Sequence, residues 1–165
     1  MAELTVLESK LGEVLGLAMA AQGATDKIKG LVEEEGSDQL VATLERMHQE
    51  AAETEERCTE RASSFDGKKT AILDKARETK QEATEMMRTY LGDDADALDG
   101  FEFLTMAEAG EAGHWSIVKA MAQRAGDGRT LELAEWALPI QERHLEEARK
   151  GSLRLAEDED PGSPA

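Results

Sequence analysis

The chain has 165 residues, a formal net charge of −17, 33% charged side chains and only 4% aromatic ones. This length supports one domain with a real core. The absence of a basic patch argues against direct binding to nucleic acid or to an anionic membrane. Helix formers dominate and no long window alternates apolar and polar, so the expected class is all-α. The single cysteine, Cys58, rules out an intramolecular disulfide and suits a reducing cytoplasm.

Five helical segments can be read in order. The first, from about Ala2 to Glu34, carries the rail Leu7, Leu11, Val14, Ala18, Ala21, Thr25, Ile28 and Val32, spaced alternately by four and three. No basic region precedes a continuous apolar run here, so no secretory signal is expected, and Val14 to Ala21 is too short to cross a bilayer. The middle of this helix is apolar nearly all round, which calls for burial on a second side. Gly16, Gly23 and Gly30 recur seven apart opposite the rail, so this second face is expected to pack on another helix, one candidate being a partner subunit's.

Gly36 closes the first helix, and Ser37 or Asp38 caps the second. The second runs to about Ala62 on Leu40, Leu44, Met47, Ala51, Thr54 and Cys58, which makes Cys58 a buried, inert thiol. After the turn "SSFDGKK", a third helix from about Lys69 to Leu91 has the thin rail Ile72, Ala76, Thr79, Ala83, Met86 and Tyr90, and is expected across the outside. The acidic loop "GDDADALDG" lacks the ligand spacing of an EF-hand and reads as a helix cap. The fourth helix spans about Leu98 to Ala125. The fifth spans about Leu131 to Ala156 and should kink at Pro139. Residues 1–156 thus form one unit, and 157–165 an acidic tail expected to be disordered. Two long helices, a crossover helix and two more long helices describe a four-helix bundle with one long connection, the ferritin-like connectivity.

The chemistry lies where the rails are broken by acids. On the fourth helix Glu108 and Glu111 occupy rail positions between Leu104 and Trp115, and His114 follows on an adjoining rail. Buried carboxylates must raise their pKa or bind a cation. Each of the three histidines follows an acid or amide by three residues, as in Glu45 with His48, Glu111 with His114 and Gln141 with His144, a spacing that puts both on one helical face. His144 and Gln141 face inward on the fifth helix, while His48 and Glu50 flank the rail of the second. Such a set of oxygens and imidazoles suits an iron or manganese ion. Equally, it suits a buried hydrogen-bond network. No catalytic triad and no phosphate-binding glycine loop can be read.

The stretches "LERMHQEAAETEERC", "FDGKK", "EAGEAGHWSIVKAMAQRAGD" and "LAEWALPIQERHLEEA" give the chain, from about Leu7 to Ala156, a resemblance to the ferritin-like superfamily, nearest to its small bacterial stress-associated YciF-type branch. The resemblance implies a four-helix bundle with an added crossover helix, a homodimer, and a di-metal centre. Glu111 with His114 would match one Glu-x-x-His pair, Gln141 with His144 the other in degenerate form, and His48 or Glu50 the ligand of the second helix. It leaves open whether the chain is an enzyme; an active site would oxidise carboxylate-held iron. Two departures reduce the charge available for two ions: the first helix offers no rail carboxylate, and Gln141 stands where Glu is expected. The competing expectation is a non-catalytic ferritin-like scaffold, dimeric and metal-free.

Overall fold

A computed structural model describes residues 2–164 of the chain. It contains five helices, α1 (Val6–Glu35), α2 (Asp38–Ser63), α3 (Lys69–Tyr90), α4 (Ala97–Ala125) and α5 (Gly128–Glu157), and no strand among the described residues. No described helix is long and apolar enough to cross a membrane.

Local chemistry sets the helix ends. α1 starts at Val6 rather than near Ala2 because Thr5 and Glu8 form a reciprocal capping box, and Glu8 also receives Lys68 at 2.8 Å. Gly36 and Gly126 end α1 and α4 in the left-handed conformation, at φ 77° and 68°. The acidic loop is a cap: Asp96 accepts from the Asp99 amide, and Asp99 reaches back to the Asp96 amide. Asp127 caps α5 through the Thr130 amide and takes a paired hydrogen bond from Arg61 at 2.8 and 2.9 Å, tying the end of α2 to the start of α5. α5 runs unbroken through Pro139.

α1 is the hub. It packs along α2, α3 and α4, and α4 packs along α5. The helix on the second face of α1 is therefore α3 of the same chain, at least along its first half. A Cβ on Gly16 would stand 2.7 Å from Thr79 Cβ and closer still to the Ala76 carbonyl oxygen, so the two backbones nearly touch. Gly23 and Gly30, further along the same face, have open space beside them. α3 is accordingly half embedded: Ala71, Ile72, Ala76 and Thr79 are buried, whereas Met86 and Tyr90 are exposed. On α5, the space that a side chain at Gly151 would occupy is taken by the Phe101 ring.

The apolar core is divided in two. One cluster gathers Ile28, Val32, Leu44, Met47, Phe101 and Leu104. The other gathers Leu11, Leu15, Cys58, Trp115, Val118 and Ala134. Cys58 is fully buried, and burial pushes its thiol far above the ordinary range, as an inert thiol requires.

The glycine row makes a direct prediction. Gly16→Ala should destabilise the fold by about 2 kcal/mol or more, since backbone must move. Gly23→Ala, adding a methyl to open space, should stabilise by up to about 1 kcal/mol. Urea unfolding of the two variants measures the contrast.

Candidate functional site

The gap between the two apolar clusters is filled by polar side chains. Moving along each helix from one cluster to the other, α4 passes through Glu108 and Glu111, α5 through Gln141 and His144, and α2 through Glu50. α1 crosses the same level with Ala18 and Ala21, small residues that leave room. Glu108, Gln141 and His144 are each 1% exposed and Glu111 4%. The Glu50 side chain is 17% exposed.

His144 is the centre of the layer. Its Nδ1 lies 3.4 Å from Glu108 Oε2, and its Nε2 lies 3.5 Å from Glu50 Oε2. One imidazole thus joins carboxylates from α2 and α4. Three buried atoms here have no hydrogen-bond partner: Glu108 Oε2, Gln141 Oε1 and His144 Nε2. Buried polar atoms are almost always satisfied, so three orphans in one layer mark a place for water or an ion. Glu50 is compensated from outside by Arg143, to which it is hydrogen-bonded, and by Arg46 at 3.5 Å. Arg46 also pairs with Glu147. Burial, and then the nearby charge of Glu108, push the Glu111 carboxyl well above the usual carboxylate range.

Not all seven sequence candidates belong to this layer. Glu50, Glu108, Glu111, Gln141 and His144 do. His114 turns away: its Nδ1–H donates to the Gly110 carbonyl at 2.8 Å, its Nε2 sits 3.7 Å from Glu13, and its side chain is 39% exposed. His48 also faces elsewhere, its Nδ1 lying 3.1 Å from the Gln22 carbonyl and 3.3 Å from Asp26 on α1. On α2 the inward group is therefore Glu50. Arg46, four residues before Glu50 on α2, and Arg143 of α5 are part of the site because both pair with Glu50; Arg143 thus reaches across to α2 rather than pairing only with glutamates of its own helix.

A carboxylate and an imidazole from α4 and α5 lie within reach of one ion. Two ligand atoms bound at 2.0–2.2 Å stand roughly 3 Å apart, close to the observed 3.4 Å. Among the described residues, no three His, Cys, Asp or Glu side chains are gathered closely enough to hold a metal as they stand. Beyond the cluster, Glu111 also borders a cavity of about 570 Å³ lined by α1, α2, α3 and α4.

No protein-family model, curated protein or solved structure matches this chain.

Because the folded Glu111 carboxyl is harder to ionise than its unfolded counterpart, its neutral form stabilises the fold fully below about pH 4, and that contribution is lost as pH rises through the folded value. In the presence of a chelator, Glu111→Gln should therefore be more stable than wild type at pH 8, by about 1 kcal/mol or more, with the gap closing near pH 4. Denaturant unfolding across that range reads the difference.

Proposed function

We propose that this chain is a ferritin-like helical bundle that binds one divalent transition-metal ion, iron or manganese, in the polar layer between its two apolar clusters. The observation that carries this reading is the pair of orphaned buried atoms, Glu108 Oε2 and Gln141 Oε1, in the layer where His144 Nδ1 lies 3.4 Å from that Glu108 oxygen. Hard carboxylate oxygens with one imidazole and no thiolate fit these metals.

The residues divide by their surroundings. Glu108, Glu111 and His144 would hold the ion, with the neutral Gln141 oxygen as a weaker donor. Completing three charged or imidazole ligands requires Glu111 to turn from the cavity wall toward Glu108. Glu50 is the less suitable ligand because Arg143 and Arg46 already take its charge. Its place 3.5 Å from His144 Nε2 suits it to orient the ring while Nδ1, on the Glu108 side, meets the ion. With no carboxylate from α1 in the layer, the charge suits one ion rather than two. Iron held this way would be suited to oxidation from Fe(II) to Fe(III) by an external oxidant, consistent with a protective role under stress.

A second reading, the metal-free scaffold, has its own support. A protonated His144 would stand between Glu50 and Glu108, balancing both without a metal.

Elemental analysis of untagged protein, reconstituted anaerobically with Fe(II) or with Mn(II), separates the two. The metal reading expects near one ion per chain and a rise in Tm, about 2.7 kcal/mol of added stability at a free-ion concentration one hundred times Kd. Glu108→Gln and His144→Ala should abolish both effects, and Glu50→Gln should weaken affinity by about 10–100-fold. A wild type that takes up no metal and shows no Tm shift would establish the polar network instead.

A further inference from the structure

The cavity beside Glu111 is built from small and flexible groups. Ala20 and Gly23 of α1, Ala83 and Met86 of α3, and Met106 and Gly110 of α4 all line it. The rail of α3 places Ala83 and Met86 on its inward side, yet Met86 is 67% and Met106 52% exposed. α3 closes on α1 at Gly16 and not at Gly23, and the space left between them is the cavity. A Cβ on Gly23 or on Gly110 would meet nothing within 4 Å, so both positions face open space.

We infer that this cavity is a binding site for a small, elongated apolar amine, its alkyl part lying among the methionines and alanines and its ammonium head among the carboxylates of the wall. The volume of about 570 Å³ falls in the range of small-molecule sites, roughly 300–1,000 Å³, which are mainly apolar with a few polar groups. Its α1 wall, Leu17 to Asp26, extends about 14 Å along the helix axis, the scale of a medium-length alkyl chain and under three helical turns. The sign of the head group follows from the charged lining, the carboxylates of Asp26 and Glu55 against the one ammonium of Lys80, with Glu111 held toward its neutral form. His48, 3.3 Å from Asp26, and His114 also line the cavity. A second copy of the chain is a poorer occupant, since each carries a net charge of −17.

This inference does not rest on a bound metal, and its test is run with a chelator present and with variants outside the polar layer. Nile red bound to the wild type is titrated with decylamine, decanol and decanoate below their micelle concentrations. Decylamine should displace the dye at a concentration about tenfold lower than decanoate, with decanol between them. Gly23→Leu and Gly110→Leu project into the space from positions where a Cβ meets nothing within 4 Å. Each should keep the wild-type circular dichroism, with a Tm no lower than wild type, while weakening decylamine binding about tenfold or more. Three results would overturn the inference. Decanoate could bind as well as decylamine, or both filled variants could bind decylamine like wild type. Alternatively, the wild type could sediment as a dimer that binds no decylamine and that Gly23→Leu converts to a monomer.

Discussion

The structure turns on the burial of two carboxylates, Glu108 and Glu111, at positions where α4 would otherwise carry core residues. Taking an ionised carboxylate out of water is costly unless protons, cations or hydrogen bonds compensate it. The surrounding layer supplies the compensation in part: His144 stands beside Glu108, and Glu111 is held toward its neutral form. The apolar core consequently comes in two pieces, with Leu104 in one and Trp115 in the other. α1 accommodates the layer by crossing it with alanines, and α5 by placing Gln141 and His144 on the same buried face.

Much of this was legible in the sequence because helical periodicity fixes which positions face inward. The rails place Glu108 and Glu111 in line with Leu104 and Trp115, and the spacing of Gln141 and His144 puts both on one face. The five helices fall within a few residues of the expected bounds, the largest differences being the start of α1, set by the Thr5–Glu8 box, and the start of α5, set by the Asp127 cap. The fate of residues at the edge of a rail was not legible. His114 lies one step from the buried face, where a backbone carbonyl one turn earlier and Glu13 of α1 capture its ring. His48 is captured in the same way by the Gln22 carbonyl and Asp26. A three-residue spacing after an acid says only that two side chains share a face. It does not say which neighbour on the facing helix will bind them.

The glycine row shows the same limit at the level of packing. Gly16, Gly23 and Gly30 are equivalent in sequence, but α3 touches α1 only at the first. Where the backbones touch, the apolar surround of α1 is explained without a partner subunit. Where they diverge, small residues on α1 and α4 and a flexible methionine on α3 leave the cavity. Glu111 belongs to both regions, as a member of the polar layer and as part of the cavity wall.

The most direct measurement is an anomalous difference map from crystals soaked in Mn(II), recorded beside Glu108→Gln crystals treated identically. The account predicts one peak per chain, bounded by Glu108, Glu111 and the Nδ1 side of His144, with Glu50 on the opposite side of the ring and no peak in the variant. A wild-type map with no peak in the layer, in which ordered water or a direct hydrogen bond satisfies Glu108, Gln141 and His144, would contradict it.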